Sequence, residues 1–410
     1  MRSFLFILAL APALALAQKK EAAPTSRIGV LIIPMDKAAE THVVKLEEYS
    51  LDALDEFQGL KIRKTDEVFG LPKDEEAEAS LKRAETGYKE SKTAFDGRNW
   101  EDAERKLRAT MKEYTKAASA LSSCGHLCDT VAMYAASLNA RGEIEEAKIA
   151  ILDLLALAPT FELDRKRYPQ EFVTLRAQVA TARNAQLRGN VEVKTRPGGA
   201  RVYLDGEFKG YTPMVLQTLP IGKHMLRLER PGFKQWGTLV EVSPEDSEVK
   251  QELVPTPGYK AYDAMLDGLA SDLLKDKGSG TMKGMGKTLG LDRAVVAVLK
   301  EVTESGAIEM NIGLFDLKEG KRLAGKKANF QGDEYGQLKG EIGRVVTHLI
   351  NTGMLASTDA TKGKMTGDPL DNKSGMEEWT GDDQGGKRTR KEKKTKAGDP
   401  LDSQSGMDEW

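Results

Sequence analysis

The run from Arg27 to Pro34 carries no charge after its first residue and ends at a proline. Such a run is typical of a strand that is buried on both faces, so we expect it in the centre of a sheet. An acidic amphipathic pattern then predicts a helix from about Lys37 to Phe57, and Gly59 to Lys64 predicts a second strand. This short unit leaves one sheet edge and one face uncovered, so more chain must complete it.

From Asp74 to about Arg188 the apolar positions follow a helical period. Two stretches, residues 94–103 and 140–147, share one pattern: a helix ends at glycine, and carboxylates and a small alanine open the next helix. Carboxylates suit the positive end of a helix, and alanine lets two helices approach closely. We therefore predict a helical domain over residues 74–188.

Residues 189–255 change to the alternating pattern of half-buried strands. Val191 and Val193 alternate with polar residues, and Val202 and Leu204 do so again after a turn. Asp205-Gly206 is the dipeptide of a two-residue hairpin turn, because aspartate and glycine tolerate a positive φ. A small all-β domain is predicted here.

Residues 256–355 again mix helical and strand patterns, and beyond them the chain is polar, charged and glycine-rich. We read residues 356–410 as a disordered tail. The predicted elements before it are a helix, three strands and a closing helix, at Ala261–Leu274, Arg293–Thr303, Ala307–Leu317, Arg322–Phe330 and Glu334–Asn351.

The helical segment resembles tetratricopeptide repeats at the small and turn-forming positions Gly97, Ala103, Gly142, Ala147 and Pro159. The distance between the two alanines exceeds the family's period of about 34 residues, so we expect a longer second helix in the first repeat. The resemblance implies a groove for a segment of a partner. An ordinary helical bundle is the alternative.

The β-domain resembles the PEGA domain, which is named for a Pro-Glu-Gly-Ala signature. Glycine stands at the second signature position here, which does not alter the turn. The positions that match the family's signature and turns are Pro197, Gly198, Gly199, Ala200, Asp205, Gly206, Gly210, Thr212 and Pro213.

Residues 26–72 joined to 256–355 resemble the amino-terminal α/β domain of the periplasmic Tol-system protein TolB. The resemblance lies in the order of elements, in Leu-Gly-Leu-Asp at 289–292 and in Phe-Asp-Leu-Lys-Glu-Gly at 315–320. It implies one discontinuous α/β domain into which the other two are inserted. The predicted fold class is therefore multidomain α+β: this α/β domain, an inserted helical repeat segment, an inserted all-β domain and a disordered tail.

The amino terminus has the pattern of a secretory signal peptide over residues 1–17. A basic start at Arg2 precedes an apolar run from Phe4 to Leu16, and Ala15-Leu16-Ala17 is a small-x-small cleavage site. The run is shorter than a membrane span and contains Pro12, so we expect export rather than anchoring. No later segment is apolar enough to cross a membrane. The predicted location is the periplasm or the periphery of the outer membrane.

Both cysteines lie in one short stretch, Cys124-Gly-His-Leu-Cys128. In an oxidising compartment the simplest outcome is a disulfide, which we expect to staple a turn between two helices. A metal site that also uses His126 is the alternative, but a closed zinc site needs four ligands and no second cluster follows. We expect no cofactor.

The tail contains a near-perfect duplication of 13 residues, Gly-Asp-Pro-Leu-Asp-x-x-Ser-Gly-Met-x-Glu-Trp, at 367–379 and 398–410. Met376 and Trp379 lie in the first copy, and Met407 and Trp410 lie in the second. Methionine and tryptophan are rare in disordered segments, so they suggest a docking motif whose two copies bind with avidity. A duplication without function is the alternative. The basic stretch Lys387–Lys396 between the copies is either a spacer or an adhesive for anionic polymers.

We find no pattern of residues that predicts catalysis. The segment 280–288 imitates a phosphate-binding loop but has Thr281 at a required glycine. The four histidines lie in different predicted elements, without a nucleophile motif. A net charge of −2 argues against nucleic-acid partners.

These observations predict a non-catalytic scaffold or assembly protein of a bacterial cell envelope. Its expected partners are envelope proteins, bound through the helical groove and the tail, with a motility or secretion machine as one setting. A module that adheres to peptidoglycan or carbohydrate is an alternative, and an enzyme with an unrecognised site is another.

Overall fold

The computed structural model describes residues 26–183, 188–274, 280–302, 307–331 and 337–359. The fold is mixed α+β, as predicted. In chain order the strands are β1 (Ser26–Pro34), β2 (Leu60–Ile62), β3 (Arg188–Arg196), β4 (Arg201–Leu204), β5 (Glu207–Tyr211), β6 (Met214–Pro220), β7 (Gly222–Glu229), β8 (Trp236–Val242), β9 (Ser247–Glu252), β10 (Arg293–Val302), β11 (Ala307–Asp316) and β12 (Lys321–Phe330). The helices are α1 (Lys37–Glu40), α2 (Val43–Leu54), α3 (Thr65–Phe69), α4 (Glu75–Asp96), α5 (Trp100–Lys116), α6 (Gly125–Ala140), α7 (Ile144–Leu157), α8 (Gln170–Arg183), α9 (Pro257–Asp263), α10 (Leu266–Leu274), α11 (Gly280–Leu289) and α12 (Gln337–Asp359).

The two ends of the folded region form one five-stranded sheet in the order β12-β11-β10-β1-β2. Strand β1 lies between β10 and β2 and is parallel to both, so it is an interior strand. Ile28, Val30 and Ile32 contact the core under α2 and α12, while Leu31 and Ile33 contact the opposite core under α10 and α11. Burial on both faces explains why β1 is apolar at successive positions.

The predicted long helix from Lys37 to Phe57 is wrong in one respect, because the structure has two helices there. Helix α1 ends at Thr41, whose hydroxyl donates to the carbonyl of Ala38 over 2.8 Å. The loop at Gly198 and Gly199 packs against Thr41. The predicted helix Ala261–Leu274 is likewise two helices, α9 and α10. No feature of the sequence predicted that second break.

The helical segment consists of two antiparallel hairpins, α4–α5 and α6–α7, followed by α8. Asn99 caps the start of α5, and Gly142 adopts φ +85° between α6 and α7. Ala103 and Ala147 are fully buried where the helices meet. Helix α5 has 17 residues against 14 in α7, and a connection with a short 3-10 helix at Ala118–Ala120 also lengthens the first hairpin unit.

The β-domain is a sandwich of a three-stranded sheet, β6-β3-β9, and a four-stranded sheet, β5-β4-β7-β8. The alternating valines and leucines predicted from the sequence form its core. Two further side chains, Met225 and Leu239, point out of the sandwich and pack against the helical core instead. The β-domain therefore shares an apolar contact with the helical segment.

Polar contacts hold the β-domain to both neighbours. The backbone nitrogen and the ammonium of Lys223 contact the carboxylate of Asp153 on α7, at 2.9 and 2.7 Å. On the other side Arg201 pairs with Glu48 and Asp66 of the α/β domain. The three segments are thus packed together through the β-domain.

Candidate functional site

The outward face of the four-stranded sheet carries three aromatic rings. Val202 and Leu204 on β4 are buried in the core, so Tyr203 between them faces outward. Phe208 on β5 is paired with Tyr203, and their ring centroids are 5.7 Å apart. The ring of Tyr211 lies 5.3 Å from that of Phe208. We name Tyr203, Phe208 and Tyr211 the aromatic surface.

Solvent reaches the aromatic surface mainly at Phe208, which is 50% exposed. The guanidinium of Arg227 lies 4.6 Å from the centroid of Tyr203 and pairs with Glu229 at 3.0 Å. Single exposed apolar residues are ordinary, but a ring held by two other rings offers a rigid contact area. This arrangement suits binding by stacking and apolar contact.

Hydrogen bonds to the α/β domain hold the far end of this hairpin in place. The hydroxyl of Tyr211 donates to Glu48, and burial together with this bond raises the pKa of Tyr211. Arg201 donates to Glu48 and, at 3.0 Å, to Asp66. Burial alone lowers the pKa of Arg201, but the nearby carboxylates outweigh it and the pKa is raised. Arg201 therefore remains a cation between two anions.

The near end of the hairpin is the predicted Asp205-Gly206 turn, with φ values of +53° and +89°. The carboxylate of Asp205 accepts from the backbone nitrogen of Met225 over 2.8 Å and lies 2.6 Å from Nδ1 of the buried His224. A Cβ at Gly206 would lie 2.7 Å from the carbonyl oxygen of Ser122. The turn therefore contacts the connection between α5 and α6, and only glycine fits there.

The signature loop Pro197–Ala200 contacts the α/β domain rather than solvent. A Cβ at Gly198 would lie 3.0 Å from Cγ2 of Thr41, and one at Gly199 would lie 2.9 Å from the carbonyl oxygen of Thr41. Gly199 also has φ +74°, and the buried Arg230 donates to the carbonyl of Gly198. This loop is thus a contact between domains.

The remaining signature positions close that loop. The backbone nitrogen of Ala200 donates to the hydroxyl of Thr212 over 3.0 Å, and both residues are buried. Gly210 has φ +144° near the end of β5, and Pro213 precedes β6. These residues maintain the β-domain and form no open site.

Cys124 and Cys128 are joined in a disulfide. Cys124 occupies the N-cap position of α6, so the bond spans the first turn of that helix. Our expectation that it would staple a turn between two helices is therefore wrong. His126 is directed elsewhere: its ring stacks on Tyr88 at 4.2 Å, and Nδ1 lies 2.7 Å from the carboxylate of Glu85. Within the described ranges, no group of three or more His, Cys, Asp or Glu residues is placed to hold a metal ion.

We expected the helical repeats to offer a groove for a partner, and one face of them, shared by α4 and α6, is partly filled by the chain itself. Arg167 pairs with Asp96 at the end of α4 at 3.0 Å and donates to the sulfur of Met133 on α6. The ring of Tyr168 lies 5.5 Å from that of Phe95 and is 5% exposed. This part of the face is therefore closed to another protein.

Several predicted features lie outside the described residues. They are the signal peptide at residues 1–17, the tail residues Met376, Trp379, Met407 and Trp410, and the basic stretch Lys387–Lys396. None of the described helices is long and apolar enough to cross a membrane. The segment 280–288 that imitates a phosphate-binding loop lies entirely within helix α11, which precedes a strand instead of following one.

Sequence reasoning missed the aromatic surface, although a signal was present. The outward positions of the β4–β5 hairpin alternate with its core positions, and aromatic residues occupy them at Tyr203 and Phe208. Arg201 gave no such signal, because its partners Glu48 and Asp66 come from a distant part of the sequence.

A comparison with curated proteins finds no match to the chain. Residues 188–257, which include both sheets of the β-domain and the aromatic surface, match the family model of the PEGA domain, so this part of the chain is a PEGA domain.

Proposed function

We propose that this protein is a non-catalytic scaffold of a bacterial cell envelope that holds another envelope protein against the aromatic surface of its PEGA domain. The exposed ring of Phe208 is the observation that carries the proposal. Aromatic side chains supply large, rigid contact areas and are enriched where proteins bind each other. PEGA domains are typical of extracellular and periplasmic proteins, which supports the envelope as the setting.

The packing of the PEGA domain between its neighbours supports a scaffold rather than a flexible tether. The hairpin that bears Phe208 is held at its turn by Ser122 and at its far end by Glu48. A surface fixed in this way loses little conformational freedom when a partner binds. It can therefore set the orientation of the partner relative to the other domains.

Site-specific photo-crosslinking in living cells tests the proposal. A photoreactive residue at position 208 is expected to trap a discrete protein adduct. Position 215 is the matched control, because Val215 is 46% exposed on the other sheet of the same PEGA domain. Equal adducts at both positions, or none at position 208, would contradict the proposal.

Adhesion to a wall polymer is the second candidate, because an exposed aromatic ring also stacks on sugar rings. Sedimentation of the purified protein with isolated peptidoglycan separates the two candidates. Binding that Phe208→Ser abolishes and Val215→Ser retains would replace the scaffold proposal with the adhesion module. Turnover by the purified protein that a single side-chain change removes would instead establish an enzyme.

A further inference from the structure

The α/β domain has a surface groove of about 710 Å³ that the proposed function does not use. It lies between α2 and α12, the two helices that cover one face of the five-stranded sheet. Strand β10 is parallel to β1, and β12 is parallel to β10 because β11 between them is antiparallel to both. Helix α2 follows β1 and helix α12 follows β12, so these two helices also run in the same direction. The groove therefore has two parallel walls.

The two walls carry opposite charges. Helix α2 and the turn after it supply the carboxylates of Asp52 and Glu56, while α12 supplies Lys339, Arg344 and His348. The walls touch where the ammonium of Lys339 lies 2.7 Å from the carboxylate of Asp52. The two carboxylates of one wall balance the lysine and arginine cations of the other.

Space on the α12 side remains open. A Cβ at Gly340 or Gly343 would meet no atom within 4 Å, whereas one at Gly353 on the same helix would lie 2.6 Å from Leu314. Contacts within the described residues thus explain why position 353 is glycine. They do not explain the glycines at 340 and 343, although glycine destabilises a helix relative to alanine. This openness admits a closely packed surface from outside.

The charge pattern restricts what that surface is. A polyanion or a uniformly basic segment would be attracted by one wall and repelled by the other. The required partner presents an acidic and a basic stripe side by side, at the spacing of two packed helices. A second groove of the same kind meets this requirement when it is turned by a twofold axis that runs along the groove, because each acidic wall then faces a basic wall.

We propose that the α2–α12 groove is the contact between two copies of this chain. Two helical layers then lie between two sheets, and Glu56 of one copy faces the Arg344–His348 wall of its partner. The contact is isologous, so it closes at the dimer and does not continue into a fibre.

Sedimentation of the full chain, with charge-reversal variants, tests the proposal. The unaltered protein is expected to sediment as a dimer. Lys339 and Asp52 already neutralise each other within one copy. Arg344→Glu therefore sets a carboxylate opposite Glu56 of the second copy, and Glu56→Arg sets a cation opposite its Arg344, so each variant alone is expected to associate at least about tenfold more weakly. An equimolar mixture of the two variants restores complementary walls and is expected to restore the dimer.

Lys112→Glu reverses an exposed charge on α5, away from the groove, and is expected to leave the dimer unchanged. Restoration in the mixture cannot arise from misfolded variants, so it is decisive support. A monomeric wild-type protein would overturn the proposal, and so would reversal variants that associate like the wild type. The proposal would also be overturned if deletion of residues 365–410 abolished the dimer while the charge-reversal variants kept it. None of these results bears on crosslinking at position 208.

Discussion

Gly198 stands where the PEGA signature has glutamate, and its surroundings give a physical reason for the difference. The methyl carbon of Thr41 lies 3.0 Å from the place where a Cβ would be, which leaves no direct path for a longer side chain. The loop is therefore adapted to the end of α1.

At the scale of single residues, the sequence predicted the turn residues Asp205 and Gly206 correctly, because their backbone preference is local.

Glu47 is a residue whose behaviour the sequence did not predict. It lies on the amphipathic helix α2 and reads as one of several solvated acids, yet it is 5% exposed. Burial raises its pKa to about 8, although Arg230 and the backbone nitrogen of Ile32 oppose the shift. The folded protein therefore holds Glu47 protonated at neutral pH.

We predict that Glu47 makes stability fall as pH rises. The unfolded chain releases this proton near pH 4.5 and the folded chain near pH 8, so the loss develops between these values and is complete above them. It amounts to roughly 3 to 5 kcal/mol. Urea unfolding at about pH 5 and about pH 9 measures it, and Glu47→Gln removes this part of the dependence.

Glu171→Gln, which changes an exposed acid on α8, serves as the control and should keep the wild-type pH dependence. A Glu47→Gln variant whose stability changes with pH as steeply as that of the wild type would show that the carboxyl group titrates normally in the folded state.

At the scale of elements, periodicity predicted most strands and helices, because burial on one or both faces determines which local positions are apolar. It failed where a distant segment decides the outcome. Helix α1 ends at Thr41, which the PEGA loop contacts. The start of α6 at Gly125 places the disulfide within a helical turn. The face of α4 and α6 is partly filled by Arg167 and Tyr168, which lie between α7 and α8.

The disulfide at the start of α6 is predicted to stabilise the fold only modestly. Cys124 and Cys128 are four residues apart, so the closed loop is short and removes little entropy from the unfolded chain, about 2 kcal/mol. Urea unfolding with and without a thiol reductant measures this difference. The Cys124→Ser/Cys128→Ser double variant should have the stability of the reduced protein, and the reductant should not change it. Unchanged stability after complete reduction would refute the estimate.

At the scale of the whole molecule, the PEGA domain is the connecting part. Its two sides meet different partners: Met225 and Lys223 contact the helical segment, and Arg201 and Tyr211 contact the α/β domain. The sequence predicted the PEGA domain but not this arrangement, because contacts between domains join residues far apart in the chain. The orientation of the aromatic surface depends on these contacts.

Arg201 is therefore predicted to control the junction between the PEGA and α/β domains. Its side chain is 11% exposed and contacts Glu48 and Asp66, which are 31% and 35% exposed. Arg201→Met leaves two carboxylates without their cation and should cost about 2 kcal/mol, less than for a fully buried pair. Amide hydrogen exchange in α2 and α3 is expected to accelerate.

Lys194→Met is the matched control for that measurement. Lys194 also contacts two carboxylates, those of Glu192 and Glu248, but its side chain is 42% exposed and all three residues lie on neighbouring strands within the PEGA domain. Its loss should leave the free energy of unfolding nearly unchanged, because water screens exposed ion pairs. If both variants lose equal stability and exchange in α2 stays slow, Arg201 acts only within the PEGA domain, and other contacts hold the α/β domain to it.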